Sequence, residues 1–335
     1  MNTMEIAQSV TTPALNMLEI SPEENEQIDA LLVSLLKRYP TPSDHKLLQQ
    51  GRVYASQLPK SILRKLDEFR HTEDHKGLFL LSGLHIDQQE LGNTPDSVGR
   101  ETDEMSGAKQ SLLLVLLASY LGDPMGWEGQ RDGALVNNIL PLKGHTGEQL
   151  STGSGVELDW HSEEAFHPCR ADYLALMCMR NYDKVPTVVA TIADITLADD
   201  IKKILFEERF IFLCDKNFED GPFDLTKPQA VLFGDFNSPY IKIDPSFMHA
   251  VEGDREAADA LAHITHEIKN ALFDVALEPG QVVFIDNYRV VHGRKPFTPK
   301  FDGNDRWLKR INITLDLRKS RNIRAAHDSR VLLTK

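Results

Sequence analysis

Cysteine, basic charge and long hydrophobic runs are all scarce in this sequence of 335 residues. The three cysteines, Cys169, Cys178 and Cys214, are too few and too scattered for a disulfide framework or a zinc knuckle, which favours a reducing cytoplasm. The longest apolar run, residues 112–117, is much too short to cross a bilayer, so no membrane partner is expected. The N-terminus, MNTMEIAQSV, has no basic region followed by an apolar core, and we expect no signal peptide.

Acidic residues outnumber basic ones, and this balance restricts the partners. The chain has 37 Lys and Arg against 50 Asp and Glu, a formal net charge of −13, whereas proteins that bind nucleic acid normally show a basic surface. We therefore expect a small-molecule substrate and no nucleic acid. A hydrophobic content of 41% with 26% charged residues is that of a soluble globular protein, and the length fits one large domain with insertions. The sequence leaves the oligomeric state open, a homo-oligomer included.

The first third of the chain, residues 1–124, is predicted to be a mainly helical support packed on a sheet. Ser21, Pro22 and Glu24 form a capping box with proline at the first helical position, ahead of apolar residues at helical spacing. The short continuous apolar run at residues 78–86 predicts a buried strand. Residues 108–120 predict another helix, which ends at a glycine.

The pattern then changes to short strands separated by turn residues. Residues 125–320 predict a β-sandwich or barrel with a helical insertion near residues 199–273, so the fold class is α+β and mainly β. The stretch at residues 144–155 is rich in Gly, Ser and Thr, and no helix follows it to bind a phosphate. We expect this stretch to be a loop over the functional site.

A histidine and a carboxylate at strand spacing carry the strongest chemical signal. His161 and Glu163 are two residues apart in a strand-like setting, so both side chains should point to one face and bind one metal ion. The adjacent Glu164 should point to the opposite face. His292, at the end of a distant apolar run, is the best candidate for a third ligand. Two histidines and one carboxylate leave three coordination positions open, as in non-haem Fe(II) oxygenases.

A second histidine pair competes for the role of metal site. His263 and His266 lie on one predicted helix, but the sequence HITHE lacks the HExxH order and sits in a charged, polar segment. A solvated helix face is therefore the better interpretation of this pair.

Three segments together resemble a known family. WHSEEAFHPCRADYLAL begins at Trp160, GQVVFIDNYRVVHGRKPF begins at Gly280, and RWLKRINITLDLR begins at Arg306. In this order they resemble the clavaminate synthase-like Fe(II)/2-oxoglutarate-dependent oxygenases, and they are most similar to the hydroxylases of free arginine, lysine or asparagine. The resemblance covers roughly residues 125–320. It implies a double-stranded β-helix (jelly roll) with flanking helices outside the sheets.

The resemblance also implies the cofactors and several site residues. Fe(II) would be bound by His161, Glu163 and His292, with 2-oxoglutarate as cosubstrate and O2 as oxidant. Because halogenating relatives replace the carboxylate ligand with a small residue, Glu163 argues against halogenation. Arg306 would bind the distal carboxylate of 2-oxoglutarate, with Thr187 hydrogen-bonded to the same molecule. A guanidinium suits this role because its planar fork pairs two carboxylate oxygens.

The substrate contacts implied by the resemblance start at the amino-acid end. Arg310 would bind the α-carboxylate and Gln130 the α-amino group. Arg294 is part of the recurring motif, and a structural role is left open.

Acidic loop residues are expected to bind the far end of a basic substrate. Asp215 and Asp244 lie where arginine hydroxylases of the group collect acids, and Asp235 is a further candidate. Ser246 stands where such relatives often have a second acid, and this departure counts against arginine and favours lysine as the substrate.

The expected reaction is hydroxylation of C3 or C4 of a free L-amino acid, with succinate and CO2 as co-products. Desaturation, a different or carrier-bound amino acid, and a jelly-roll binding protein without turnover are the alternatives.

Overall fold

The computed structural model describes residues 15–73, 76–214 and 227–334. The helices within them are α1 (Pro22–Arg38), α2 (His45–Gln49), α3 (Gly51–Ala55), α4 (Lys60–His71), α5 (Gln88–Leu91), α6 (Arg100–Met105), α7 (Ala108–Leu121), α8 (Asp199–Leu205) and α9 (Arg255–Ala271). The strands are β1 (Asn16–Glu19), β2 (Leu78–Ser82), β3 (Asp123–Trp127), β4 (Val136–Ile139), β5 (Leu158–His161), β6 (Tyr173–Arg180), β7 (Thr187–Thr191), β8 (Phe210–Phe212), β9 (Leu232–Gly234), β10 (Pro239–Ile241), β11 (Met248–Ala250), β12 (Phe273–Val275), β13 (Val282–Asp286), β14 (Val290–Arg294), β15 (Trp307–Thr314) and β16 (Val331–Leu332).

Two sheets form the centre of the molecule. The larger has the strand order β1-β2-β13-β6-β15-β3-β16, with β4 also paired to β15, and the smaller has the order β12-β7-β14-β5. One buried apolar cluster contains Leu176 and Leu308 from the larger sheet together with Val189 and Phe273 from the smaller. The two sheets therefore pack face to face, and the predicted jelly roll of mainly β structure is confirmed.

Helices from the first third cover the outer face of the larger sheet. The first of them, α1, begins as predicted, because Ser21 and Glu24 make both hydrogen bonds of the capping box. The apolar helix α7 is buried along almost its whole length. This third also supplies β1 and β2, which extend the larger sheet next to β13. The assignment of residues 1–335 to a single domain stays a prediction, since it includes residues outside the described ones.

The segment predicted as a helical insertion contains both helices and strands. Helices α8 and α9 pack beside two short antiparallel pairs, β8 with β11 and β9 with β10. Their apolar side chains share one cluster with Ala190 and Val291 of the smaller sheet. Among the described residues, no helix combines the length and the apolar character needed to span a membrane.

The smaller sheet ends at β5, and this edge strand positions the functional residues. β5 pairs with β14 so that His161 and His292 lie directly opposite each other, and the register shifts between His292 and Arg294. Gly293 lies in this irregular stretch. A Cβ on Gly293 would lie only 2.6 Å from the carbonyl oxygen of Leu158, so the two strands can approach this closely only because residue 293 has no side chain.

Candidate metal centre

The three predicted metal ligands meet at the end of β5. The ring centroids of His161 and His292 are 4.8 Å apart. Glu163 Oε2 lies 3.3 Å from His292 Nε2 and 3.8 Å from His161 Nε2. Among the described residues, this is the one group of three or more His, Cys, Asp or Glu side chains whose ligand atoms are close enough to share an ion.

Glu163 reaches the site from a turn, and the strand geometry assumed for it is wrong. β5 ends at His161, and the backbone then turns away. Asn287, which is fully buried, fixes this turn: the Glu163 N–H donates to Asn287 Oδ1 at 2.8 Å, and Asn287 Nδ2 donates to the carbonyl oxygens of Glu163 at 3.0 Å and Ala171 at 2.9 Å. The carboxylate is therefore placed by an amide from the β13–β14 connection and not by strand alternation.

Glu164 does not point away from the site as predicted. Its φ of 47° is left-handed, so the alternation of an extended strand does not apply, and its buried side chain lines the same pocket as Glu163. Asn312 Nδ2 donates to both carboxyl oxygens at 3.4 and 3.5 Å. Burial and the neighbouring charge of Glu163 raise the pKa of Glu164 to about 8, so this carboxyl keeps its proton at neutral pH.

The contacts of His161 fix which of its nitrogens faces the carboxylate. His161 Nδ1 lies 2.8 Å from the carbonyl oxygen of Asp159. Because a carbonyl can only accept, Nδ1 carries a proton, and Nε2 is the nitrogen directed at Glu163. Burial opposes the charged imidazole, but the Glu163 carboxylate outweighs burial and raises the pKa of His161 to about 9. In contrast, burial lowers the pKa of His292.

The buried polar atoms of the cluster fit a divalent metal ion. Glu163 Oε2, which faces the Nε2 atoms of both histidines, is buried without a hydrogen-bond partner among the described residues. The other oxygen of Glu163 accepts a hydrogen bond from Arg310 Nη1. Burial would raise the pKa of Glu163, but the Arg310 charge outweighs it and holds this pKa well below its usual range. Two imidazoles and an ionised carboxylate are the ligand set of non-haem Fe(II) sites.

A second polar region, next to the metal centre, is cationic. Arg306 is buried, its Nη2 donates to Thr187 Oγ1 at 3.3 Å, and its Nε has no partner among the described residues. Burial and the nearby charge of Arg294 lower the pKa of Arg306 to about 10. In the described part of the chain no carboxylate forms an ion pair with either arginine. Two buried guanidiniums without an anion would be stabilised by an anionic ligand.

The Arg310 side chain contacts both Glu163 and Gln130. Arg310 Nη2 donates to Gln130 Oε1 at 3.5 Å, which joins β15 to the connection between β3 and β4. Leu308, between Arg306 and Arg310 in the sequence, belongs to the interior cluster. Arg294 donates to the carbonyl oxygens of Ser154 and Val156 and so holds the end of the loop that precedes β5.

An open pocket leads to the metal ligands. Its wall includes Gln130, His161, Glu163 and Asp244. The predicted loop over the site is present, since Gln149 and Leu150 also line this pocket.

The acids predicted for the far end of the substrate have different positions. Asp244 lines the pocket, and burial raises its pKa above the ordinary range although the charge of His161 opposes this. Asp235 is exposed and accepts hydrogen bonds from the N–H groups of Asn237 and Ser238, so it caps a turn. Asp215 lies outside the described residues. Ser246 lines the pocket beside Asp244.

The competing histidine pair lies away from this pocket. His263 and His266 are exposed on α9, and His266 Nε2 contacts Asn270 Nδ2 at 3.0 Å. The interpretation of HITHE as a solvated helix face is therefore confirmed.

Two polar residues near the centre were missed in the sequence. Asn287 looks like an ordinary turn residue between two apolar runs, and its three hydrogen bonds depend on chain segments more than 100 residues away. Asp159, two residues before His161, lines the pocket with its side chain. The position of Asp159 on the same strand face as His161 was the one available signal.

Comparisons with known proteins agree with this geometry. A sequence model of the taurine catabolism dioxygenase TauD, TfdA family matches residues 225–312. An enduracididine β-hydroxylase of Streptomyces hygroscopicus is 40% identical over 94% of this chain and 99% of that protein. An L-ornithine/L-arginine 3-hydroxylase of Catenulispora acidiphila is 36% identical over 95% of this chain and 100% of that protein. A crystal structure of the non-haem iron oxygenase OrfP with Fe and α-ketoglutaric acid has a TM-score of 0.88 at 36% identity and covers 94% of this chain and 99% of that one.

Proposed function

Because the chain belongs to the clavaminate synthase-like Fe(II)/2-oxoglutarate-dependent oxygenases, we propose that it hydroxylates C3 of a free L-amino acid with a guanidinium side chain. The reaction consumes the amino acid, 2-oxoglutarate and O2, and it yields the hydroxy-amino acid, succinate and CO2. The observation that carries the proposal is the cluster of His161, Glu163 and His292 at the base of an open pocket. Relatives named as a β-hydroxylase and a 3-hydroxylase support C3 over C4.

Iron and the cosubstrate would be held by different parts of the site. The two histidines and Glu163 would bind the metal through His Nε2 atoms and Glu163 Oε2, which has no hydrogen-bond partner among the described residues. When bound, iron with 2-oxoglutarate supplies the oxidising power that breaks an unactivated C–H bond. Arg306 and Thr187 would bind the distal carboxylate of 2-oxoglutarate, since the buried Arg306 has no anionic partner within the described chain.

The amino-acid substrate would be held at both ends. Arg310 would pair with the α-carboxylate, and Gln130 and Glu163 would contact the α-amino group, because these three side chains meet at one end of the pocket. Asp244 would face the guanidinium at the other end. Fixing both ends places one carbon at the metal, which is the main contribution that a protein makes to such a reaction. Asp215 stays a prediction for the same role.

The proposal includes a cytoplasmic location and a substrate that is neither nucleic acid nor lipid. The scarcity and scatter of cysteines in the sequence support the first part, and the net charge of −13 supports the second.

Turnover and product mass test this function. We expect the Fe(II)-loaded protein with 2-oxoglutarate and O2 to form succinate with arginine or a related guanidino amino acid, and the product to be heavier by one oxygen. A product lighter by two hydrogens would identify a desaturase instead. No succinate with arginine, ornithine, lysine, asparagine or any other free amino acid would overturn the proposal and favour a carrier-bound substrate or a protein without turnover.

A pair of variants tests the metal site. His161→Ala should lose iron binding and turnover, because it removes one of three protein ligands. His263→Ala is the matched control, since His263 is exposed on α9. Full activity in His161→Ala would refute the assignment of the ligands.

A further inference from the structure

The wall of the pocket that carries Asp244 also carries a second carboxylate, Asp159. It belongs to β5, whereas Asp244 follows the β9–β10 hairpin. The two segments are joined beside the metal centre, where the Ser162 N–H donates to the carbonyl oxygen of Ile243 at 2.8 Å and the Ile243 N–H donates to Ser162 Oγ at 3.2 Å. Two acids from separate parts of the chain are thereby brought to one wall.

Ser246 holds the Asp159 side chain in place. Ser246 Oγ donates to Asp159 Oδ2 at 2.6 Å, and Gln149 Nε2 donates to the same oxygen at 3.1 Å. Within the described chain, Asp159 Oδ1 accepts no hydrogen bond. One carboxylate oxygen is therefore fixed by the pocket wall and the covering loop, while the other remains available to a ligand.

No lysine or arginine of the described chain balances the charge of this wall, and the cationic group near Asp244 is the imidazole of His161. Within the described chain, the wall of the pocket contains Asp159 and Asp244 and no lysine or arginine. Glu163 differs, because Arg310 is its ion-pair partner. The pocket is a binding site on independent grounds, since it also contains the buried Glu163 Oε2, which has no hydrogen-bond partner among the described residues. A cation at this wall would gain two carboxylate partners.

We infer that Asp159, positioned by Ser246, is a specificity-determining residue that binds the cationic end of the substrate together with Asp244. This inference rests on the proposed function and deepens it. The expected group is a guanidinium, because its planar set of five N–H donors can be divided between two carboxylates. Ser246 supplies no charge of its own, but it directs the charge of Asp159. An acid at residue 246 is then unnecessary for recognition of arginine.

Binding without turnover tests the inference. The Fe(II)-loaded protein with 2-oxoglutarate, kept under nitrogen, is titrated calorimetrically with arginine and with citrulline, which has the same length but a neutral ureido group. We expect Asp159→Asn to weaken arginine binding by about 10- to 100-fold, as for a charged hydrogen bond. Citrulline binding should change by less than about two-fold, since no charge pair is lost.

Two further variants control for position and folding. Glu157→Gln removes an exposed carboxylate two residues away and should leave both affinities unchanged. Ser246→Ala keeps the Asp159 charge but removes its fixed orientation, so arginine binding should weaken by less than in Asp159→Asn. If Asp159→Asn does not fold, Ser246→Ala alone decides, and unchanged arginine affinity in that variant overturns the inference.

The outcomes separate the inference from the function on which it rests. A wild-type protein that binds neither arginine nor any other basic amino acid would contradict the proposed function. A wild-type protein that prefers arginine to citrulline, with Asp159→Asn retaining the same preference, would contradict only the role of Asp159. Loss of that preference in Asp159→Asn, with iron affinity unchanged, would support it.

Discussion

Replacing Asn287 with alanine tests how the turn that carries Glu163 is held. Asn287 is fully buried between β13 and β14 and makes three hydrogen bonds to backbone groups on the other side of the site. Asn287→Ala removes all three and leaves the Glu163 N–H and the carbonyl oxygens of Glu163 and Ala171 without these partners. The side chains of the three candidate iron ligands stay intact.

The expected loss of stability follows from the number of hydrogen bonds that the substitution removes. Each buried hydrogen bond of this kind contributes about 1 kcal/mol net, and an orphaned partner adds a desolvation cost of about 1–3 kcal/mol. We therefore expect Asn287→Ala to lower the free energy of unfolding by about 3–6 kcal/mol. Because the turn also orients the Glu163 carboxylate, metal affinity should fall by about 10- to 100-fold, the usual effect of losing a group that orients a ligand.

Two measurements on one variant check both parts. Urea denaturation gives the free energy of unfolding, and anaerobic titration with Fe(II) gives the metal affinity of the folded variant. Asn270→Ala is the control, because Asn270 is exposed on α9 and its side chain contacts His266, away from the metal centre. Lower stability with unchanged metal affinity would refute the argument that Asn287 orients Glu163.

Two other predictions concern the strand pair and the acid stability. In Gly293→Ala, the new Cβ would lie 2.6 Å from the Leu158 carbonyl oxygen and should push β5 away from β14. We expect this to destabilise the fold by about 1–3 kcal/mol and to weaken Fe(II) binding. Gly147→Ala, with open space around it, is the control, and equal metal affinities in the two variants would contradict the reasoning. Burial lowers the pKa of His167 to about 3, whereas a histidine in the unfolded chain has a pKa near 6.5. The stability that comes from keeping this imidazole neutral is therefore fully present above pH 6.5 and is lost as the pH falls towards 3. His167 alone should lower the free energy of unfolding by about 3 kcal/mol between pH 7 and pH 4. In His167→Gln the new side chain can still accept a hydrogen bond from the Cys169 N–H. Urea denaturation at both pH values should therefore show a smaller loss of stability in acid for this variant than for the wild type. The same acid loss in both proteins would show that burial of His167 has no such effect.

Much of the architecture could be read from local patterns. The capping box at Ser21, the apolar run of α7 and the short strands after residue 135 each depend on neighbours in sequence, and each forms as predicted. The pairing of His161 with His292 was predicted from residue type and from the family resemblance. The structure brings these residues together through the register of β5 and β14, which no local pattern determines.

The parts of the site that were mispredicted depend on the turn after β5. Strand alternation placed Glu163 and Glu164 on opposite faces, but the chain leaves the extended conformation at Ser162, and Glu164 becomes left-handed. Its carboxyl is then buried in the pocket beside Glu163. Similarly, the sequence showed Ser246 only as a missing acid. Its hydrogen bond to Asp159 joins residues 87 positions apart and is visible only in the structure. Long-range contacts of this kind cannot be deduced from periodicity.

Because β5 lies at the edge of the smaller sheet, the polar residues of the site fall into two groups. Arg306, directly before β15, and Thr187, the first residue of β7, join the two sheets through a hydrogen bond, whereas Asp159, Gln149 and Asp244 belong to an edge strand and the loops around it. Under the proposed roles, side-chain substitutions in the second group would alter the accepted amino acid while the backbone pairing of β5 with β14, which brings His161 to His292, stays the same. On this proposal, one scaffold could accept different amino acids through changes at its edge while its three candidate iron ligands stay the same.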